Sequence, residues 1–204
     1  MSTQEGPREP RLGIDIGLVI INGPAHPGGG DTAFFQGDEA TMLATPEMAG
    51  AVEAIARLMR PFGSRVWLVS KCGPRVQART LRWLDGHDFY QRTTLPPDHV
   101  RFCRTRPDKR IHCQQLALTH FIDDHPEVHA AIRGTVDYQY FFGPQPRPVP
   151  GYGIHAPTWT DLEHLVEASL ALNQRTITRP EGERGRGRGE QPGQWRQAQP
   201  KAPL

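Results

Sequence analysis

The stretch that decides the fold is RLGIDIGLVIING, residues 11–23, an almost unbroken apolar run with one carboxylate, Asp15, in its middle. Runs rich in Ile, Leu and Val are typical of a strand buried on both faces. An unpaired ionised carboxylate in apolar surroundings is costly to bury. Asp15 must therefore emerge at the end of the strand or meet a positive charge, and both alternatives indicate a site rather than a core.

Segments with strand character and segments with helix character alternate after this run. The helix of residues 45–59 would begin with Thr45 as its N-cap and Pro46 at the first helical position. The repeated alternation predicts an α/β domain, in which a doubly wound parallel sheet is covered by helices on both faces to give three layers. Strands are predicted at residues 12–21, 65–70, 99–103, 119–124 and 136–142, and helices at 45–59, 75–85, 109–118, 126–134 and 158–174.

The chain divides into a polar leader (residues 1–10), one domain (11–174) and a tail (175–204). Within the domain, the Gly- and Pro-rich residues 22–40 predict a long loop or flap. The tail has no hydrophobic periodicity and a net charge of +4, which predicts a disordered basic segment. Its GRGRG sequence leaves nucleic-acid binding as the less favoured alternative. The first 174 residues carry a net charge of −2, which excludes a polyanion binder by charge.

Composition indicates a cytoplasmic protein. Cys72, Cys103 and Cys113 are unevenly spaced and form no CxxC motif, as expected for reduced thiols. The N-terminus has no apolar signal core, and no apolar run approaches the ~20 residues of a membrane span. We therefore expect neither secretion nor a membrane partner.

Polar residues at or just past the predicted strand ends form a set with a definite chemistry. Ligands of open parallel sheets bind at the carboxyl ends of the strands. A carboxylate there can attack phosphorus if a cation offsets the charge repulsion, and Mg²⁺ held by carboxylates and a carbonyl supplies that cation. Asp15 is the candidate nucleophile and first metal ligand, and Asp123 and Asp124 are further metal ligands.

A hydroxyl and an ammonium group would bind the remaining phosphate oxygens. Ser70 supplies the hydroxyl and Lys109 the ammonium, and Lys109 is notable because the chain has only three lysines. Lys71, which follows Ser70, and His26 in the flap are the other candidates for substrate binding.

The order of these residues resembles the four motifs of the haloacid dehalogenase (HAD) superfamily. The motifs are Asp15-x-Gly17-x-Val19, VWLVSK with Ser70, Lys109 before a helix, and HFIDD. The resemblance covers about residues 11–142. It implies that the first, second and fourth strands lie side by side, with Mg²⁺ and a phosphoaspartate intermediate. It also implies a flap and a minimal cap, and relatives with little cap tend to accept bulky or macromolecular substrates.

The chain departs from the family pattern at Gly17. Most phosphatases of the family have a second Asp there, which exchanges protons with the leaving group. The carbonyl of Gly17 can still bind the metal, but proton transfer, typically worth ~10²–10⁴-fold in rate, lacks its usual residue. His26, Asp31 and Asp38 in the flap are the candidates to replace it.

Simpler alternatives exist for each residue. Asp15 could face solvent from a strand, Asp123 and Asp124 could cap a helix, Ser70 could be an ordinary hydroxyl at a strand end, and Lys109 could be solvated.

A receiver domain of two-component signalling uses similar groups, but there the acidic pair ends the first strand and the lysine comes last. The order in this chain excludes that fold.

These observations favour one function and leave one alternative. The first is a Mg²⁺-dependent phosphomonoester hydrolase acting through a phosphoaspartate on Asp15, on a phosphorylated small molecule or a nucleic-acid terminus. The alternative is a catalytically weak or silent HAD-like protein that binds a phosphorylated ligand or partner, and one form of it is associated with nucleic acid through the Arg-Gly tail.

Overall fold

The computed structural model describes residues 8–27 and 31–178 of the chain. Most of the leader and most of the predicted disordered tail therefore lie outside the described residues. No described helix is both long enough and apolar enough to cross a membrane. In chain order the elements are β1 (Leu12–Ile14), α1 (Asp31–Gln36), α2 (Glu39–Leu43), α3 (Ala51–Phe62), β2 (Val66–Lys71), α4 (Pro74–Gly86), α5 (Phe89–Thr93), β3 (Val100–Cys103), α6 (Lys109–Gln115), β4 (His120–Asp123), α7 (Pro126–Ile132), β5 (Tyr138–Phe142), β6 (Ile154–Ala156) and α8 (Trp159–Thr178).

The six strands form one sheet in the order β3-β2-β1-β4-β5-β6, and every neighbouring pair is parallel. The first, second and fourth strands lie side by side, as the sequence resemblance implies. Ile14 of β1 pairs with Leu68 of β2 and with Ile122 of β4. The residues that follow these three partners therefore reach the same edge of the sheet, and they are Asp15, Val69–Ser70 and Asp123.

Helices cover both faces of the sheet, so the predicted three-layer α/β architecture is confirmed. Successive side chains of a strand point to opposite faces, and β2 shows this alternation. Leu68 packs into the larger apolar cluster with α3 and α8, whereas Val69 packs into the smaller one with α6 and α7. The smaller cluster consists of Trp67, Val69, Cys113, Leu118, Phe121, Val128, Ile132 and Val136.

The first strand is much shorter than the apolar run predicts. Strand β1 ends at Ile14, and the chain then makes a tight turn in which the backbone N–H groups of Ile20 and Ile21 both donate to the carbonyl of Ile16. Leu18 has a left-handed backbone conformation in this turn (φ 61°). Most of the apolar residues after Asp15 are buried, but in a turn rather than in a strand, and Leu18 is exposed.

The predicted helix start at Thr45–Pro46 is wrong, because α3 begins at Ala51 after Gly50. Residues 45–47 lie alongside the chain that follows β1: the carbonyl of Pro46 accepts a hydrogen bond from the backbone N–H of Asn22, and Glu47 forms an antiparallel bridge with Ile21. This pairing with a distant segment outweighs the preference of Thr45 and Pro46 for the start of a helix.

The segment 22–40 is not the long irregular loop that its composition predicts. It contains a 3-10 helix at Gly23–Ala25, the helix α1 and the start of α2, which Asp38 caps by accepting a hydrogen bond from the backbone N–H of Thr41. These helices are too short to produce a hydrophobic period. For the same reason α5 and the three-residue β6 were not predicted. Helix α8 runs to Thr178, past the predicted domain end at 174.

Gly13, in the middle of β1, leaves no room for a side chain. A Cβ atom there would lie 2.5 Å from Cδ2 of Phe121 and 2.6 Å from Cδ1 of Leu118. We expect Gly13→Ala to lower the free energy of unfolding by ~1–3 kcal/mol, because the aromatic ring must shift in a packed core. Urea unfolding followed by circular dichroism measures the change.

The matched control is Gly17→Ala, because a Cβ atom at Gly17 meets nothing within 4 Å. Its free energy of unfolding should stay within about 0.5 kcal/mol of the wild-type value or rise slightly. Equal losses in the two variants would contradict the packing around β1.

Candidate active site

The predicted site residues other than His26 meet at the carboxyl edge of the sheet. Asp15 directly follows β1, and its backbone N–H donates to the carbonyl of Ile122 in β4 (2.9 Å). A cavity of about 340 Å³ opens at this edge. Its lining includes Asp15, Gly17, Ser70, Lys71, Lys109, Asp123 and Asp124.

Lys109 is the centre of the charged cluster. Its Nζ atom lies 2.7 Å from Oδ1 of Asp15 and 2.6 Å from Oδ2 of Asp123, and its side chain is only 2% exposed. Burial alone would lower the pKa of Lys109, but the two carboxylates together raise it well above its usual value. Lys109 therefore stays positively charged. Asp15 both emerges at the end of its strand and meets a cation.

Asp123 is fully buried, and both of its carboxylate oxygens accept hydrogen bonds. Oδ2 accepts from Nζ of Lys109, and Oδ1 accepts from the backbone N–H of His125 (2.9 Å) at the start of α7. A buried carboxylate satisfied on both oxygens is well suited to hold its partners in place. Asp123 thus fixes the position of Lys109 and joins β4 to α6 and α7.

Two carboxyl groups of this site, Asp15 and Asp124, have a raised pKa. Burial raises the pKa of Asp15 to about 6, although Lys109 opposes the shift. Burial, together with the charges of Asp123 and Asp15, raises the pKa of Asp124 to about 7. Burial is the main cause of both shifts, and the neighbouring carboxylates add to them.

The acidic residues have the arrangement of a cation site. Asp15, Asp123 and Asp124 each offer a carboxylate oxygen, and these atoms all lie within 4.8 Å of one another. Oδ1 of Asp15 is buried and lies 2.7 Å from Nζ of Lys109, which leaves it with acceptor capacity beyond this ion pair. A set of carboxylate oxygens with unsatisfied capacity fits a hard divalent cation such as Mg²⁺.

Ser70 and Lys71 lie on the cavity as the sequence indicates. Ser70 is buried near the end of β2, and Lys71 is exposed at the last position of that strand. The hydroxyl and the ammonium group are thus on the β2 side of the cavity, opposite the acidic residues of β4. Gly17 leaves open space where a side chain would project.

The flap residues proposed to replace a proton donor are in other places. Neither His26 nor Asp38 belongs to the described lining of the cavity. Nε2 of His26 lies 2.7 Å from the carbonyl oxygen of Thr41, and the Asp38 carboxylate accepts a hydrogen bond from the backbone N–H of the same residue. The hydrogen bonds to Thr41 lower the pKa of Asp38, so it is ionised at neutral pH. Asp31 begins α1, and its side chain lies outside the described part of the chain.

The cavity also has an apolar part, which was not predicted from the sequence. Leu18, Phe34 and Phe35 line it, together with Val76 of α4 and Val128 of α7. One signal was available: two adjacent aromatic residues in a Gly-rich flap are unusual unless they pack on something. The polar residues Arg106 and His125, which follow β3 and β4, were also missed.

Comparison with known proteins bears on the fold. No family model matches this sequence, and no curated protein matches it. Among solved structures, the chain is similar to a crystal structure of a haloacid dehalogenase-like family hydrolase from Xanthomonas campestris. The two share 13% sequence identity with a TM-score of 0.59, and the match covers 83% of this chain and 100% of that chain. At this identity the likeness shows a HAD-like α/β fold and nothing finer.

The buried cluster makes a prediction about stability. Lys109→Met leaves Asp15 and Asp123 buried without their cation, which should lower the free energy of unfolding by about 3–5 kcal/mol at a pH near ~8. The decrease in the free energy of unfolding should be smaller at pH ~5, because protonated carboxyl groups no longer need a cation. Urea unfolding at the two pH values measures both effects.

The sign follows from the titration of Asp15. Its pKa of about 6 in the folded protein exceeds the ~4 of an unfolded carboxyl group. The folded state therefore binds a proton that the unfolded chain releases, and the contribution of this group to stability falls as the pH rises between these values. Removal of Lys109 extends that window to higher pH. The control is Lys71→Met at the exposed end of β2, and an equal deficit in both variants would contradict the ion cluster.

Proposed function

We propose that this chain is a Mg²⁺-dependent phosphomonoester hydrolase of the HAD kind, in which Asp15 accepts the phosphoryl group. One observation carries the proposal. The Asp15 carboxylate lies at the end of the central strand, in contact with a buried Lys109, on a cavity that also contains Asp124 and Ser70. A carboxylate, an ammonium group and a hydroxyl that converge in one cavity suit attack on a bound phosphate.

Asp15, Asp124 and the backbone carbonyl of Gly17 are the groups that would hold Mg²⁺. The support is the set of carboxylate oxygens within 4.8 Å of one another, together with the burial and the neighbouring carboxylates that raise the pKa values of Asp15 and Asp124. When bound, Mg²⁺ would offset the repulsion between the attacking carboxylate and the phosphate. We assign Asp123 to positioning, because both of its oxygens already accept hydrogen bonds.

The residues of the chain would act in two steps. Ser70 and Lys109 donate hydrogen bonds to the phosphate oxygens while a carboxylate oxygen of Asp15 forms a bond to phosphorus. The bond from phosphorus to the ester oxygen breaks, and its electron pair leaves with that oxygen. A water molecule then attacks phosphorus in the phosphoaspartate, which releases inorganic phosphate and restores Asp15.

A second candidate function is a weak or silent HAD-like protein that binds a phosphorylated ligand or partner. Gly17 favours it, because no side chain at this position can exchange a proton with the leaving group or with water. The positions of His26 and Asp38 outside the cavity lining favour it as well. The two candidates share the phosphate site and differ in turnover.

The remaining expectations stay predictions. A nucleic-acid role of the tail concerns residues 175–204, most of which lie outside the described part of the chain. A nucleic-acid terminus and a phosphorylated small molecule both remain possible substrates, and a cytoplasmic location is still the expectation from composition.

Substitution of Asp15 tests the proposed nucleophile. Asp15→Asn removes the charge with little change in volume, and we expect hydrolysis of phosphomonoesters in Mg²⁺ to fall by at least about 10³-fold. EDTA should remove the activity of the wild-type enzyme to a similar degree. The measurement is phosphate release from a panel of phosphomonoesters.

The control is Asp85→Asn, the same chemical change on the exposed face of α4. It should keep wild-type activity.

Beryllium fluoride with Mg²⁺ separates the two candidate functions, because it mimics a phosphoaspartate without any turnover. Strong thermal stabilisation of an inactive wild-type protein would support the silent candidate, and its absence would exclude Asp15 as the phosphate acceptor.

Substitution of Gly17 tests the missing proton donor. A side chain fits at this position without contact, so Gly17→Asp should fold normally. We expect it to raise the turnover of alkyl phosphates by up to ~10²–10⁴-fold, because alkoxide leaving groups depend on protonation. The control is Gly17→Asn, which has the same shape but no carboxyl proton, and equal gains in both variants would contradict the assignment.

A further inference from the structure

The cavity has a rim of exposed apolar side chains beside its charged floor. Among the described residues, the exposed large apolar side chains are Leu18 (38%), Phe35 (42%), Leu81, Ile111 and Leu172. Two of them, Leu18 and Phe35, line the cavity that contains Asp15. Exposed apolar groups at the mouth of a polar site are typical of ligand recognition.

Leu18 occupies its place at a conformational cost. Its φ of 61° is left-handed, a region in which a Cβ atom costs roughly 1–2 kcal/mol. Its side chain is more than a third exposed, so part of this leucine faces the open cavity rather than the core. The turn holds this conformation through the hydrogen bond from the backbone N–H of Leu18 to the carbonyl of Ile21. Glycine would suit the backbone better, so the side chain itself is the feature to be explained.

Phe35 is held on the rim by its neighbours. Its ring packs edge-to-face on Phe34 at 5.4 Å, and Phe34 is buried. Arg79 of α4 donates hydrogen bonds to the carbonyls of Phe34 (2.7 Å) and Gly37 (2.8 Å). The C-terminal end of α1 is thereby tied to the domain, which fixes where Phe35 meets the cavity.

We propose that Leu18 and Phe35 bind the aromatic ring of an aryl phosphate monoester whose phosphate lies at Asp15, Ser70 and Lys109. The inference rests on the proposed function and adds the substrate class. A planar apolar group between a leucine and a phenylalanine buries surface on both faces, and an aromatic pair gains an additional offset-stacked or edge-to-face contact.

The leaving-group chemistry agrees with this assignment through a separate observation. In the first step the Asp15–phosphorus bond forms, the bond from phosphorus to the aryl oxygen breaks, and the electron pair leaves as a phenolate. A phenol has a pKa of ~10, whereas the pKa of an alkanol is far higher and close to that of water, so a phenolate departs without an acid and takes its proton from water afterwards. The absence of a proton donor at Gly17 is therefore tolerable for an aryl ester.

The test measures binding of phosphonates, which have no leaving group. Isothermal titration in Mg²⁺ compares methylphosphonate with benzylphosphonate on the wild-type protein, Leu18→Gly, Phe35→Ala and Leu81→Ala. We expect benzylphosphonate to bind the wild-type protein at least about 10-fold tighter than methylphosphonate. Leu18→Gly and Phe35→Ala should each reduce this ratio by about 3-fold or more, whereas Leu81→Ala, an exposed apolar residue outside the cavity lining, should preserve it.

Leu18→Gly also separates recognition from folding. Glycine accepts the left-handed backbone, so the variant should melt at or above the wild-type temperature while its preference for the ring falls. If the Phe35→Ala variant is destabilised, its loss of preference for benzylphosphonate could also result from altered folding. The same loss in a stable Leu18→Gly variant supports binding of the ring by Leu18 and Phe35.

The possible outcomes separate this inference from the proposed function. Equal affinity for the two phosphonates, or an unchanged ratio in both rim variants, overturns the inference and leaves the phosphate site intact. Binding of neither phosphonate nor inorganic phosphate overturns the proposed site and the inference with it. Comparing the rate of hydrolysis of phenyl phosphate with that of a phosphotyrosyl peptide shows whether the aromatic ring belongs to a small molecule or to a peptide. If a phosphoseryl peptide is hydrolysed equally fast, the proposal of an aryl phosphate substrate is contradicted.

Discussion

The contact between Lys109 and the carboxylates of Asp15 and Asp123 is the interaction on which the rest of this site depends. One cation and two anions are removed from water at the edge of the sheet, where unpaired charges would be strongly destabilising. Asp124 adds a third carboxylate, so the cluster is short of positive charge. Burial is the main cause of the raised pKa values of Asp15 and Asp124, and the neighbouring carboxylates add to both shifts. Three carboxylates beside one ammonium group give a divalent cation a physical reason to bind there.

The same cluster connects the layers of the domain. Asp15 belongs to the end of the central strand, Lys109 begins a helix on one face, and Asp123 ends the neighbouring strand while its other oxygen holds the start of α7. The ammonium group of Lys109 therefore links α6 to the ends of β1 and β4, and Asp123 links β4 to α7. Lys109 therefore contributes to stability and to the proposed chemistry, because it orders the edge of the sheet and also contacts Asp15, the candidate nucleophile.

The sequence was sufficient for the parts of this arrangement that strong local patterns encode. Long apolar runs predicted the parallel sheet, and the polar residues at the strand ends predicted where Asp15, Ser70, Lys109 and Asp124 would meet. What it could not provide was pairing between distant segments. Glu47 bridges Ile21 and thereby cancels a reasonable capping signal at Thr45. The flap helices and β6 contain too few residues to show a period, and the contact of His26 with Thr41 depends on how those short helices pack.

The turn after Asp15 shows why a motif alone is an incomplete description of the site. Gly17 presents its backbone and empty space, and Leu18 next to it projects an apolar side chain from a left-handed conformation. The turn keeps this shape because distant elements hold it: the indole N–H of Trp159 in α8 donates to the carbonyl of Val19 (2.8 Å), and the backbone N–H of Met48 donates to the carbonyl of Ile20 (2.7 Å). The geometry at the candidate nucleophile is thus set by contacts from beyond the motif, and a left-handed leucine can persist there because the surrounding structure leaves the turn no other conformation.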